Sequence, residues 1–242
     1  MQKFDDNLLA SYMNSFWGYG NPNANYWFVG IEEGGGASFE EINQKIQLWN
    51  KRERRAIDDI YECHTEHIFF KKDAKLQPTW NKLIRILLSA KGEIPNTEMV
   101  RQYQITELAR KNSESCLIEL LPLPSPSTKD WIYGTHSDNS ILATRKKYKK
   151  VIGPKRCEQL NSLILKHKPK NLVLYGTMYL DWWQQIANVD LTPHTIDGKI
   201  ACFRKSAQTS IAICQHPVAT GVSSNYFHEI GKILACSWVK TN

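Results

Sequence analysis

The chain has 242 residues and a formal net charge of +7, and 42% of its residues are hydrophobic. This length fits one large α/β domain or two small ones, and the composition is ample for a buried core. The positive charge favours a polyanionic partner, with nucleic acid as the first candidate. Six scattered cysteines without a C-x-x-C pair argue against a zinc ribbon, a clustered iron–sulfur site and a small disulfide framework.

Targeting and metal-binding signals are weak throughout the sequence. The N-terminus lacks a basic region followed by an apolar run, and no apolar stretch is long enough to span a membrane. We therefore expect a cytoplasmic protein with reduced, mostly buried cysteines. Cys63, His64 and His67 lie close together in the sequence, but they lack a fourth ligand and zinc-like spacing, so we expect no metal.

Amphipathic segments alternate with short apolar runs along the chain. Helical spacing is found in 1–17, 38–49, 79–88, 97–111, the basic segment 144–168, 177–186 and about 226–238, whereas 26–30, 116–121, 171–176, 199–203 and 210–214 are typical of strands. Ser38 followed by Glu41 resembles a helix capping box. No repeat or long linker divides the chain. The alternation predicts a single α/β domain over 1–242, with three α/β/α layers around a central, mainly parallel four-stranded sheet.

The stretch from Gly18 to Gly36 is the most informative part of the sequence. A turn-rich segment at 18–23 precedes the apolar run 26–30, and Glu32, Glu33 and three glycines follow. Glycines after a strand allow the backbone to turn sharply and to approach a ligand closely. In open α/β sheets, ligands bind in the crevice beyond the carboxyl ends of the strands. The alternative is a surface turn whose two acids face water.

A single glutamate interrupts the apolar run 116–121. Alternation along a strand places Leu117, Glu119 and Leu121 on one face. Burial of the Glu119 carboxyl there is costly unless the group is paired or hydrogen-bonded. Placement on an exposed edge strand would relieve that cost and is the alternative interpretation.

Four predicted strand ends carry polar or small groups. Glu32 and Glu33 follow the first, a Pro/Ser loop at 122–128 follows Glu119, and the other two end in Gly176-Thr177 and His216-Pro217. Because parallel strands end at one edge of a sheet, we expect these groups to converge.

This ordered set resembles the uracil-DNA glycosylase superfamily over nearly the whole chain. The segments that carry the resemblance are Gly18-Tyr-Gly-Asn-Pro-Asn-Ala24 with Phe28-Val-Gly30, the run Gly30-Ile-Glu-Glu-Gly34, the loop Pro122-Leu-Pro-Ser-Pro-Ser127 and the triplet Gln215-His216-Pro217. The resemblance implies a uracil-DNA glycosylase-like fold that acts on a nucleotide flipped out of double- or single-stranded DNA.

Site residues follow from the resemblance, position by position. Glu32 matches the acid that positions water and stabilises the oxocarbenium-like sugar, although the sequence leaves open whether Glu32 or Glu33 faces the pocket. His216 matches the histidine that donates to O2 of the departing pyrimidine. Phe39 or Trp49 is the candidate for stacking on the flipped base. Candidates for holding phosphates are Ser125, Ser127, Thr177, Ser223 and Ser224.

Two departures from the family pattern bear on the substrate. Uracil readers of the family carry an asparagine where this chain has Glu119. A protonated carboxyl both donates and accepts, which suits N3 and the N4 amine of cytosine better than uracil, and burial favours that protonated form. The second departure is Gly34, which lies near the position where stringent uracil enzymes carry a tyrosine that blocks substituents at C5.

The sequence therefore predicts a monofunctional DNA glycosylase, without a cofactor, that acts as a monomer and away from membranes. Its expected substrate is a 5-substituted cytosine, hydroxymethylated or glucosylated, as in phage genomes, which suggests a role in host defence. Alternatives are repair of uracil or another damaged base, a non-catalytic DNA-binding module and an unrelated α/β hydrolase.

Overall fold

The structure is a computed structural model that describes residues 2–64, 67–127 and 129–235. The strands are β1 (Gly18–Gly20), β2 (Tyr26–Glu32), β3 (Ile57–Asp58), β4 (Ser115–Leu121), β5 (Asn171–Tyr175), β6 (Thr192–Ile196), β7 (Lys199–Arg204) and β8 (Ser210–Cys214). The helices are α1 (Asp6–Ser15), α2 (Phe39–Lys51), α3 (Ile60–Cys63), α4 (Pro78–Ala90), α5 (Thr97–Thr106), α6 (Tyr133–His136), α7 (Arg145–His167), α8 (Leu180–Ala187) and α9 (Ser224–Ala235). Short 3₁₀ turns cover Ser140–Ala143 and Thr177–Tyr179.

All eight strands belong to one mixed sheet with the order β3-β1-β4-β2-β5-β8-β7-β6. The four inner strands β4, β2, β5 and β8 run parallel to one another. β1 is antiparallel to β4, and β7 is antiparallel to both β8 and β6. The α/β class is thus confirmed. The prediction of a four-stranded sheet is wrong, because β1 and β3 extend the four parallel strands on one side and β7 and β6 extend them on the other.

The first strand of the sheet lies in the segment that the sequence marks as a turn. Gly18 has φ +143°, and a Cβ there would lie 2.0 Å from the carbonyl oxygen of Leu117 on β4. Glycine therefore lets β1 approach β4 closely, in a backbone conformation that other residues rarely adopt. The neighbouring Tyr19 donates from its hydroxyl to the Glu33 carboxylate at 3.2 Å.

The β6–β7 hairpin explains why β7 runs against the parallel block. Asp197 and Gly198 form the connection between the two strands, with φ values of +46° and +71°. An Asp-Gly pair between two strands is a strong hairpin signal, since both central residues of a type I′ turn need positive φ. β6 itself is mostly exposed and contains Pro193, as expected of an edge strand.

Local helix signals agree well with the structure. The Ser38 hydroxyl accepts from the Glu41 backbone N–H at 3.2 Å, which confirms the predicted cap of α2. α9 ends at Ala235 in the described chain, so the predicted continuation to Trp238 and the cysteine at 236 lie outside the described residues. Within residues 2–64, 67–127 and 129–235, no helix combines the length and the apolarity needed to cross a bilayer.

A buried arginine fixes α7 to the sheet next to the candidate site. Arg156 is 1% exposed, and its guanidinium donates to the carbonyl oxygens of Leu120, Phe16 and Glu119 at 2.6 to 2.9 Å. The guanidinium carbon also lies 3.4 Å from the ring centre of Trp17. Because the bonds to Leu120 and Glu119 go to the backbone of β4, they hold the strand that carries the Glu119 side chain.

Candidate active site

The chain order of the parallel strands marks one crevice in the sheet. β2 comes first, β4 is added on one side of it, and β5 is added on the other side. The strand order therefore reverses between β2 and β5. Ligands of open α/β sheets bind beyond the carboxyl ends of the strands at such a switch point.

Gly30 forms a notch at this switch point. It pairs in register with Glu119 of β4, and Tyr175 at the end of β5 lies on its other side. A Cβ on Gly30 would lie 2.2 Å from the Tyr175 hydroxyl oxygen and 2.8 Å from Glu119 Oε2. The missing side chain of Gly30 therefore leaves the room in which a phenol and a carboxyl converge.

Replacement of Gly30 by alanine is expected to destabilise the protein. Overpacking of a filled site costs about 1–3 kcal/mol, because side chains or backbone must shift. Tyr175→Phe removes the atom nearest to the added methyl group and should recover part of this loss in the double variant. Chemical denaturation of the parent, the two single variants and the double variant measures the free energy of unfolding of each, and from these the coupling between the two positions. Gly34→Ala is the matched control, because a Cβ there meets nothing within 4 Å. An equal decrease in the free energy of unfolding for Gly30→Ala and Gly34→Ala would contradict the close packing around Gly30.

Glu119 lies in the interior of the sheet with one carboxyl oxygen unpartnered. β4 lies between β1 and β2, so the edge-strand alternative is wrong. Part of the residue is solvent-accessible, but Oε2 is buried without a hydrogen-bond partner among the described residues. Burial raises the pKa of Glu119 well above 4.5, the negative charge of Glu33 raises it further, and the Lys45 ammonium opposes the shift. The protonated carboxyl is therefore favoured.

Glu32 is held by an arginine at the end of β2. Its side chain is 8% exposed, Oε1 contacts the guanidinium of Arg145, and Oε2 is buried without a partner among the described residues. Arg145 also donates to the Ser127 carbonyl oxygen at 2.6 Å, which ties the Pro/Ser loop to the same carboxylate. The contact with Arg145 engages Oε1 and leaves Oε2 as a hydrogen-bond acceptor without a protein donor among the described residues.

Glu33 has a different set of partners. Its carboxylate contacts the Lys45 ammonium and accepts from the Tyr19 hydroxyl at 3.2 Å, and Lys45 donates to the Tyr19 oxygen at 2.7 Å. The Glu33 side chain is 20% exposed. Neither Glu32 nor Glu33 simply faces water, so the surface-turn alternative is wrong.

His216 presents a neutral hydrogen-bond donor at the end of β8. Its Nδ1 accepts from the Val218 backbone N–H at 3.3 Å, which places the proton of the neutral ring on Nε2. Burial lowers the pKa of His216 and so favours this neutral form. The Tyr175 ring meets the imidazole edge-on at 5.5 Å between centroids, which links the histidine to the Gly30 notch.

The predicted phosphate-binding hydroxyls all take part in contacts within the protein. Ser125 is buried and donates to the carbonyl oxygens of residues 127 and 130, whereas Thr177 is half-buried and donates to Gln215. Ser127, Ser223 and Ser224 are exposed, with Asp130, Asp197 and Lys82 as their respective side-chain partners. Ser127, Ser223 and Ser224 are therefore accessible to a phosphate, whereas the Ser125 hydroxyl stabilises its own loop.

The two stacking candidates lie in aromatic packing. Phe39 stacks on Phe4 at 4.6 Å between ring centres. Trp49 is 4% exposed and donates to the Arg55 carbonyl oxygen, so it belongs to the core. Gly34 is exposed with open space around it.

Sequence reasoning missed four residues of this site: Tyr19, Lys45, Arg145 and Tyr175. Tyr175 ends the third parallel strand directly before Gly176, and this position could have marked it. Lys45 and Arg145 are each one of several cations on amphipathic helices, and only tertiary structure singles them out.

The described residues contain no group of three or more His, Cys, Asp or Glu side chains arranged to hold a metal ion. Comparison of the sequence with the known protein families found no match. No curated protein matches the chain either.

Proposed function

We propose that the chain is a DNA glycosylase that hydrolyses the bond between deoxyribose and a flipped, 5-substituted cytosine. The observation that carries the proposal is the pairing of two groups around one notch. Burial favours the protonated form of the Glu119 carboxyl and the neutral form of His216, which can donate a hydrogen bond. Both residues lie at the switch point of a doubly wound sheet.

Glu119 is suited to read the Watson–Crick edge of cytosine. Its carbonyl oxygen would accept from the N4 amine, and its O–H would donate to N3. Uracil presents an N–H donor at N3 and an acceptor at O4, so it would leave buried polar groups mismatched. Sites that read a substrate through hydrogen bonds reject such analogues strongly.

Glu32 and His216 would divide the chemistry between them. The free oxygen of Glu32 accepts a proton from a water molecule whose oxygen bonds to C1′. The C1′–N1 bond breaks, and its electron pair leaves with the base. His216 Nε2–H donates to the base O2, where negative charge develops, and donors so placed contribute about 3–4 kcal/mol.

The space beside Gly34 supports a substituent on C5 of the base, since nothing lies within 4 Å of a Cβ at that position. A hydroxymethyl group or a sugar attached to it would fit such an opening. Because modified cytosines of this kind occur in phage genomes, we propose a role in defence against phage DNA.

Helix packing supports the three-layer arrangement that this function implies. α4 packs against α5 and α9, whereas α7 packs against α8 and β4. The chain crosses from β2 to β4 in one direction and from β4 to β5 in the other. Right-handed crossovers would place the helices of the two connections on opposite faces of the sheet.

The test is incubation of the purified protein with three duplexes, followed by alkali to break abasic sites. The duplexes contain uracil, unmodified cytosine, or hydroxymethylated or glucosylated cytosine. We expect breakage in the modified-cytosine DNA alone. Breakage in uracil DNA alone would overturn the proposed specificity for modified cytosine and indicate a repair enzyme. DNA binding without breakage of any duplex would indicate a binding module.

A further inference from the structure

The first two turns of α7 carry a dense positive surface. Tyr148 and Ile152 are buried and anchor the helix, whereas Lys146, Lys147 and Lys150 are exposed. No acidic residue occurs in α7 before Glu158. Among the described residues, no carboxylate lies within ion-pair distance of these three lysines.

This concentration of charge is unfavourable for the isolated helix. Lysines three and four positions apart are neighbours on a helix surface, and like charges there destabilise it by about 0.2–0.5 kcal/mol per pair. Cations at a helix N-terminus also oppose the macrodipole. The lysines therefore do not stabilise the fold, and an external polyanion would relieve their repulsion.

The basic surface begins at the candidate active site. Arg145, the first residue of α7, contacts Glu32 and donates to the carbonyl oxygen of Ser127. The helix therefore starts where β2 ends and where the Pro/Ser loop turns. Lys146 and Lys147 directly follow this anchor.

A second contact joins the surface to the loop after β5. The Lys149 ammonium lies 4.6 Å from the ring centre of Tyr179 and 5.5 Å from that of Trp182. Tyr179 ends the 3₁₀ turn that follows Gly176 at the switch point. The start of α7 thus contacts the end of β2, the Pro/Ser loop after β4 and the turn after β5.

We propose that Lys146, Lys147 and Lys150 form a track for the phosphates of the DNA strand that enters the crevice. The inference rests on the proposed function for the identity of the polyanion. A phosphate backbone fits because it offers repeated negative charges along a line, and each neutralised phosphate releases condensed counterions. The track contacts phosphates only, so we expect it to set affinity without reading sequence.

The test is the salt dependence of binding to an unmodified duplex, measured by fluorescence anisotropy. The slope of log affinity against log salt changes by about 0.9 for each phosphate contact. The triple variant Lys146→Gln, Lys147→Gln, Lys150→Gln should therefore bind more weakly, with a slope shallower by up to about 2.7. The control is Lys71→Gln, Lys72→Gln, Lys75→Gln, which removes the same charge from three exposed lysines elsewhere and should keep more of the slope.

The outcomes separate this inference from the proposed function. Equal slopes for the two triple variants would overturn the track even if the protein excises modified cytosine. A slope reduced mainly in the α7 variant would support the track even if no base is released from any DNA. Absence of DNA binding by the parent protein would overturn the track. Circular dichroism of each variant confirms that the compared proteins are folded.

Discussion

Glu32→Gln is expected to slow base release from modified-cytosine DNA by about 10²–10⁴-fold, the range for loss of a positioned general base. The amide has nearly the shape of the carboxylate, but it does not accept a proton from water. It also lacks the negative charge that would stabilise the developing positive sugar. Single-turnover kinetics with the protein in excess measure the chemical step, and anisotropy should show that DNA binding is retained.

Two control variants make the Glu32 result specific. Glu40→Gln changes an exposed acid in the first turn of α2 and should leave the rate unchanged. Glu33→Gln should have a smaller effect than Glu32→Gln, because the Glu33 carboxylate is already engaged by Lys45 and Tyr19. If Glu33→Gln abolished base release while Glu32→Gln retained the parent rate, Glu33 rather than Glu32 would be the residue that activates water.

Glu119→Gln is expected to change the choice of base rather than the chemistry. Hydrogen-bond readers reject mismatched analogues by about 10⁴–10⁵-fold, and a glutamine amide can satisfy either cytosine or uracil by turning over. The ratio of rates on modified cytosine and uracil DNA should therefore fall in the variant. The parent activity should also fall as pH rises through the raised pKa of Glu119, and the variant should lack that decrease. A variant that keeps both the selectivity and the pH profile would contradict the assignment.

The same substitution tests the buried carboxyl through stability. The unfolded Glu119 carboxyl releases its proton near pH 4.5, whereas the folded one keeps it to higher pH. The unfolded state then binds fewer protons, so the free energy of unfolding falls as pH rises above 4.5 until the folded pKa is reached. The slope is at most about 1.4 kcal/mol per pH unit. Denaturation at several pH values should show this decrease in the parent relative to Glu119→Gln, and parallel curves would indicate a solvated carboxyl.

The inner strands could be predicted from the sequence because their signals are local. Continuous apolar runs identify 26–30, 116–121, 171–176 and 210–214, and each lies within a residue or two of an observed strand. β1 was missed because Gly18 and Gly20 are typical of turns, and only the close approach to Leu117 explains them. The hairpin of β6 and β7 carried a readable signal in Asp197-Gly198.

The candidate site was predictable only where residue type and strand position coincide. Glu119 stands out because burial of a carboxyl inside an apolar strand is costly unless the group is paired or hydrogen-bonded. The sequence could not separate Glu32 from Glu33, whose roles depend on Arg145 in one case and Lys45 in the other. Those partners come from α7 and α2, and no local spacing connects them to β2.

Mass spectrometry of the small molecules released from modified-cytosine DNA tests the central claim most directly. The account predicts the free 5-substituted cytosine in amounts equal to the abasic sites formed, and little of either with the Glu32→Gln variant. Release of a nucleotide, a free sugar or uracil, or no release by the parent protein from DNA that it binds, would contradict it.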